Sequence, residues 1–469
     1  MTLKRIIKHF LYFTMISSTI SCNLFKKTAE KNFWLTNPDQ SFLFQKQTKD
    51  FKSVKYNNLL PAITINSDET FQTIDGFGFT LTGGSALVIN RMDSLSRNKL
   101  LKNLFCTNSN NIGISYLRLS IGSSDLDDHV FTYNDLPEGE TDTAMLKFSL
   151  DPDRRNLIPL LKEILAINPD ILILSSPWSP PVWMKTNKNS KGGSLLLEYY
   201  SAYAKYFIRY IEEMKKEGVR IDAITIQNEP LHPGNNPSLF MLAAEQAQFI
   251  KQSLGPAFRK ADLKTKIILY DHNADRPDYA ISILNDPEAK KYVDGSAFHL
   301  YGGHIDSLTR VHLAHPDKNL YFTEQWISAP GNFAEDLSWH VKNLIIGAPR
   351  NWSRTVLEWN LASDPLQNPH TEGGCTQCLG AVTIDGNQVI QNPAYYIIAH
   401  ASKFVRPGSV RIHSTIPLNL PNVAFLSTDK KPIIIVLNEG KAAQNFLIRY
   451  KNKTYKSVLK PGAVGTYTL

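Results

Sequence analysis

The stretch Ile224-Thr-Ile-Gln-Asn-Glu-Pro230 is a short apolar run that ends on a carboxylate, Glu229. Asn319-Leu-Tyr-Phe-Thr-Glu-Gln-Trp326 repeats the pattern, with Glu324 closing the run. An unpaired charge is expensive to bury. A carboxylate that follows a buried strand is therefore expected at the strand's end, not in the core. Working outward, apolar runs alternate with amphipathic stretches from Thr73 onward. The candidate strands are Ile74–Leu81, Ile114–Ile121, Ile171–Ser176, Ala223–Gln227, Ile267–Tyr270, Ser296–Tyr301, Leu320–Thr323 and Thr355–Trp359. Most are continuous apolar runs, as strands of a parallel sheet buried on both faces should be.

Helical patterns lie between these runs. In Leu195–Glu217, Tyr199, Tyr203, Tyr206, Phe207 and Ile211 recur on one face, and Gly218 ends the pattern. Ala243–Leu254 and Leu157–Ile167 read the same way, with Asp153 expected to cap the latter. Eight strand–helix units over about 300 residues fit an α/β fold of the (β/α)₈ TIM-barrel type. An open doubly wound sheet is the alternative, but no Gly-rich nucleotide turn follows the first strand. A barrel keeps its chemistry at the strand ends, where Glu229 and Glu324 stand. After about Ala399 the runs Val410–His413, Val423–Ser427, Ile433–Leu437 and Phe446–Tyr450 are short and rich in β-branched residues. They predict a small antiparallel β domain. Phe42–Phe44 and Ala62–Ile65 are expected to join it from the other side of the barrel, after a polar tether running to about Asn37.

The 469-residue chain is 42% apolar, enough for large cores and too much for a disordered chain. Its formal charge is +8, and three of the positives, Lys4, Arg5 and Lys8, sit at the start. The others are scattered, which argues for a solvated surface and against a nucleic-acid groove. Lys4-Arg-Ile-Ile-Lys8, the mostly apolar His9 through Ile20 and Ser21-Cys22 read as an export signal, too short to span a membrane. The segment resembles a bacterial lipoprotein signal, which implies lipidation of Cys22 and a membrane anchor on the periplasmic or cell-surface face. An ordinary cleaved signal and a secreted protein are the alternative. Cys375-Thr-Gln-Cys378 has the spacing of a metal knuckle or redox motif. A structural zinc site needs four ligands, and no second knuckle exists, so a loop disulfide is the expectation, with free thiols or a metal site as the alternatives.

Two carboxylates at strand ends suit glycoside hydrolysis, which needs an acid and a nucleophile or base. No metal or organic cofactor is needed for that chemistry. Several motifs occur in order: Phe71-Gln-Thr-Ile-Asp-Gly-Phe-Gly78, Ser176-Pro-Trp-Ser-Pro-Pro-Val-Trp183, Gln227-Asn-Glu-Pro230, Thr323-Glu324, Trp359-Asn-Leu-Ala362 and Ser402-Lys-Phe404. The ordered set, from about Trp34 to the C-terminus, resembles glycoside hydrolase family 30, which contains glucosylceramidases and endo-β-1,6-glucanases. The resemblance implies a barrel with a β-sandwich built from both chain ends. The expected division is 1–22 signal, 23–70 tether and first sandwich strands, 71–395 barrel, and 396–469 sandwich. It implies a retaining mechanism with Glu229 as acid/base and Glu324 as nucleophile. By the same resemblance Asn228 holds the sugar's 2-hydroxyl, Arg118 orients the pair, Tyr301 contacts the nucleophile and Trp178 lines the glucose subsite. Trp326 and Trp359, at strand ends, are further aromatic candidates for sugar contact. His299 and His272 are candidate polar pocket walls, but the expectation for each is a structural histidine with satisfied hydrogen bonds.

One departure bears on substrate. Glucosylceramidases resembling this chain carry Met-Thr-Asp after the Gly78 position, whereas here the stretch reads Phe79-Thr-Leu-Thr-Gly-Gly84. Gly83 is expected to leave open the space of a carboxylate that grips a terminal glucose. His370-Thr-Glu-Gly-Gly-Cys-Thr-Gln-Cys378 is more similar to the β-1,6-glucanase branch. The expected function is a monomeric retaining endo-β-1,6-glucanase acting on a β-glucan. A glucosylceramidase-type β-glucosidase, another β-glycosidase and a non-catalytic glycan-binding lipoprotein are the alternatives.

Overall fold

The protein is described from a computed structural model, which covers residues 32–55 and 59–469. The expected signal and Cys22 lie outside these residues. Eight parallel strands close into a barrel: β1 (Gly76–Thr80), β2 (Tyr116–Ile121), β3 (Leu172–Pro177), β4 (Ala223–Thr225), β5 (Lys266–Asn273), β6 (Gly295–His299), β7 (Asn319–Glu324) and β8 (Ser353–Asn360). Each falls on one of the eight apolar runs. Their outward side chains, such as Phe77, Ile173 and Ile224, join the core shared with the helices. Their inward side chains form layers. Tyr116, Leu174, Ala223, Ile268, Ala297, Tyr321 and Leu357 pack as an apolar plug inside the barrel. One step further along each strand the interior turns polar, with Arg118, Ser176, Thr225, His299 and Thr323 all buried. Side chains two apart on a strand share a face, so the plug directly supports this polar layer.

The helix Leu157–Ile167 forms as expected, but Asp153 does not cap it. Asp153 is buried in a short preceding turn, where its carboxylate accepts a 2.5 Å bond from the Tyr133 hydroxyl. The patterned segment Leu195–Glu217 becomes a 3₁₀ turn followed by the helix Tyr200–Lys216, closed by Gly218 at φ 83°. Ala243–Leu254 continues past its expected end to Lys260 through a wide turn at Ile250–Leu254.

The terminal segments build a β-sandwich as one hydrogen-bonded ten-stranded sheet enclosing its own core of Phe33, Ile63, Ile434, Phe446 and Tyr467. The long strand Ala62–Thr73 pairs antiparallel with Val410–Ser414 and parallel with Gln444–Tyr450, so the sheet is not wholly antiparallel. The expected tether does not reach Asn37, because Phe33–Thr36 is a strand paired with Val464–Thr468. The strand near residue 44 is Gln45–Gln47, not Phe42–Phe44. Helix Pro393–Ser402 joins barrel to sandwich: the buried His400 bonds Thr36 Oγ1 at 2.8 Å and Thr466 Oγ1 at 2.9 Å. Among the described residues no helix is long and apolar enough to cross a membrane.

Candidate active site

Glu324 is the last residue of β7, and Glu229 stands four residues past the end of β4. Both open onto one cavity of about 330 Å³ at the C-terminal mouth of the barrel. A carboxylate oxygen of Glu229 and one of Glu324 lie within 4.8 Å of each other. Carboxyl groups roughly 5–5.5 Å apart belong to double displacement with retention, while inversion needs about 6.5–9.5 Å to admit a water. The spacing is that of a retaining pair.

The polar layer beneath orients the two acids. Arg118, projecting from β2, donates to Glu324 Oε2 at 2.5 Å, Asn228 Oδ1 at 2.7 Å, Asp271 Oδ2 at 2.9 Å and Ser176 Oγ at 3.2 Å. Tyr301 donates its hydroxyl to Glu324 Oε1 at 3.0 Å. The Asn228 amide spends its oxygen on Arg118, and among the described residues its Nδ2 has no partner and remains a donor for a ligand. Trp178 and Trp359 stack on each other at 5.3 Å, with the Arg118 guanidinium 4.9 Å from the Trp178 ring. These two tryptophans thus hold Arg118 as well as line the cavity. Trp326 joins them on the wall, as do Cys375 and Cys378, which are joined in a disulfide.

Two further carboxylates complete the site. Asp271, which sequence reasoning missed, lies on β5 just past the apolar run that ended at Tyr270. Tyr270 at φ 73° and Asp271 at φ 70° form a bulge. The bulge breaks the two-residue alternation that began with inward Ile268 and turns Asp271 into the barrel. Asp271 accepts from Thr323, Thr225, Ser176, Arg118 and His299. Burial alone would raise its carboxyl, but Arg118 and His299 hold it far below the usual range. The second is Asp125, in the loop after β2, beside Cys375 on the cavity wall. Burial and the charges of Glu324 and Glu229 lift it to about 7. The only signal for either was an acid shortly after an apolar run, as at Glu229 and Glu324.

His299 is fully buried and satisfied, as expected, but its partners are Asp271 Oδ1 at 3.1 Å and Glu229 Oε1 at 3.2 Å. Burial opposes its charge, yet Glu324, Asp271 and Glu229 outweigh that and raise it to about 9. Beside this imidazolium, Glu229 is held below its ordinary value despite burial. Glu324 is raised, because burial with Glu229 and Asp271 outweighs His299 and Arg118. That ordering reverses the expected roles, and His299 is the group that can restore them. Arg118 and Tyr301 keep their protons, whereas the imidazolium can pass its Nδ1 proton to Glu229 across 3.2 Å. With that proton on Glu229, Glu324, still holding both donors, would be the ionised group. Glu229, His299 and Glu324 also form a trio spaced like metal ligands. A metal there would have to displace the His299 Nδ1 proton that bonds Glu229.

Two expectations fail. Gly83 leaves no open space beside the pair: a Cβ there would stand 1.7 Å from Asp127 Oδ1, and Gly83 lines a separate cavity with Asp127 and Asp153. His272 is not a satisfied structural histidine. It lines the catalytic cavity, and among the described residues no hydrogen bond reaches its Nδ1.

The geometry agrees with comparison to known proteins. Residues 74–405 match the glycosyl hydrolase family 30 TIM-barrel domain, and residues 408–467 match the family's β-sandwich domain. The chain is 37% identical to an endo-1,6-β-D-glucanase of Neurospora crassa over 73% of this chain and 72% of that one. It is 28% identical to the lysosomal acid glucosylceramidase of Mus musculus over 86% of this chain and 82% of that one. Among solved structures it is similar to the endo-β1,6-glucanase BT3312, with a TM-score of 0.87 and 33% identity over 94% of this chain and 99% of that one. A two-glutamate pocket on a closed barrel, with both family domains matched in order, leaves one reading: the chain belongs to glycoside hydrolase family 30.

Proposed function

We propose that the protein is a retaining endo-β-1,6-glucanase. The observation that carries the chemistry is the approach of Glu229 and Glu324 oxygens to within 4.8 Å. Glu324, ionised and fixed by Arg118 and Tyr301, attacks the anomeric carbon. Glu229 protonates the departing oxygen, and a glycosyl ester forms on Glu324. Water, deprotonated by Glu229, then attacks the ester and releases Glu324 with net retention. Asn228 Nδ2 is the free donor for the 2-hydroxyl, and Asp125 offers a wall carboxyl to other hydroxyls. The likeness to the Neurospora enzyme and to BT3312 supports β-1,6-glucan as the substrate. Incubation with β-1,6-, β-1,3- and β-1,4-glucans and with a glucosylceramide tests this. Mixed oligosaccharides from β-1,6-glucan alone are expected, while glucose released from glucosylceramide as the preferred reaction would overturn it.

Export and anchoring through lipidated Cys22 complete the reading, motivated by Lys4-Arg5 and the apolar stretch that Cys22 closes. Membrane fractionation of wild type and Cys22→Ala tests it. Release of the variant alone is the expected result, and equal distribution of both would contradict it.

A further inference from the structure

We propose that His272 and Asn235 form the leaving-group subsite, taking hydroxyls of the sugar that departs from Glu229. The inference rests on the endo-glucanase reading above and assigns one half of its pocket. The strained pair Tyr270 and Asp271 does two things at once. It turns Asp271 inward and carries the next residue, His272, to the cavity mouth. Bulky side chains rarely hold a positive φ, so the bulge is an investment of strain at a functional place.

His272 is only 7% exposed, yet among the described residues neither ring nitrogen has a hydrogen bond. Nδ1 has no partner, and Nε2 is 3.9 Å from Glu229 Oε1, beyond hydrogen-bond range. Buried polar groups are nearly always paired, so an unpaired imidazole on a pocket wall points to a ligand. Burial, outweighing the pull of Glu229, lowers His272 to about 4, so it is neutral under ordinary conditions. A neutral imidazole has one donor and one acceptor nitrogen. Nδ1 is buried, so Nε2 is the nitrogen that faces the cavity, and a sugar hydroxyl, itself both donor and acceptor, answers it in either tautomer. Asn235 lines the same cavity, with Nδ2 at 3.4 Å from Glu229 Oε2 and an Oδ1 that has no partner among the described residues.

The side of the pocket follows from the division of labour. Glu229 hands its proton to the departing oxygen, so groups near Glu229 and away from Glu324 meet the leaving group. His272 approaches Glu229, and no ion-pair contact within 4.0 Å joins it to Glu324. The same subsite receives an acceptor sugar when the glycosyl ester is transferred to sugar instead of water.

The test compares kcat/KM, which reports glycosylation, on a β-1,6-linked glucose oligosaccharide and on its aryl glycoside. The aryl leaving group carries no hydroxyls for His272 to bind. His272→Ala should lower the oligosaccharide value about five- to tenfold, the worth of one neutral hydrogen bond, and leave the aryl value within about twofold. Transfer to added glucose should fall with the oligosaccharide value, and His272→Gln should restore part of both. Equal loss on both substrates, or no loss on either, overturns the proposal, and an unchanged unfolding midpoint shows that the variant is folded. If wild type prefers another β-glucan, the substrate reading fails, and the ratio is then read on that glucan's oligosaccharide.

Discussion

Replacing Asp271 by Asn removes one negative charge from beneath the pocket and leaves the side-chain volume unchanged. Asp271 Oδ1 accepts from Thr323 Oγ1 at 2.6 Å and His299 Nε2 at 3.1 Å. Oδ2 accepts from Thr225 Oγ1 at 2.7 Å, Arg118 at 2.9 Å and Ser176 at 3.0 Å. Whichever oxygen becomes an NH₂ group, it faces at least two donors. Arg118 and Asp271 are both fully buried, so water does not screen the lost charge. Removing one partner of a buried ion pair is worth about 3–5 kcal/mol, and that is the expected loss of stability on denaturation. The pH profile should move too. His299 loses one of the carboxylates that hold it at about 9, so it deprotonates at lower pH. Glu324 loses a negative neighbour, so its carboxyl moves down. The acid limb of kcat/KM should therefore shift to lower pH while kcat falls. Stability within about 0.5 kcal/mol of wild type, the range of an ordinary surface change, together with an unshifted acid limb, would refute this account of Asp271.

Gly83→Ala drives a methyl group into Asp127 Oδ1 and should lose about 1–3 kcal/mol on unfolding, with no gain on aryl glucosides relative to polymer. A stable variant with an improved aryl ratio would contradict the packing argument. Glu229→Gln should lower kcat/KM about 10²–10⁴-fold on sugar leaving groups and far less on activated aryl glucosides, with added azide giving the β-glycosyl azide. Equal loss on both substrates would count against Glu229 as the acid. Burial lifts Asp153 from 3.8 to about 7 despite its bond from Tyr133. A carboxyl raised in the folded state binds a proton that the unfolded chain has released, so native stability falls as pH climbs from about 4 to about 7. Wild type should lose about 2–3 kcal/mol more than Asp153→Asn between pH 5 and 8, and parallel curves would sink the claim.

The barrel was legible because its strands are buried on both faces and read as apolar runs, and because Glu229 and Glu324 interrupt those runs where no core could hold a charge. The layer that makes them useful was less visible. Asp271 enters the barrel through two consecutive positive φ angles at residues without glycine, and no local pattern announces such a bulge. Position in a motif also misled at Gly83, where the side chain of Asp127, from another loop, fills the space that the missing Cβ leaves. Phe33–Thr36 is too short to show a period, and its partner Val464–Thr468 lies at the other end of the chain. His272 and His299 look alike in sequence. Only the positions of Asp271 and Glu229 separate the paired histidine from the unpaired one.

Proton NMR of the sugar released in the first moments of β-1,6-glucan hydrolysis tests the two-glutamate pocket most directly. Carboxylates this close leave no room for a water between nucleophile and sugar, so the β-anomer should appear first and mutarotate to the α-form. An α-anomer as the initial product would mean that Glu229 and Glu324 do not act across the gap seen here.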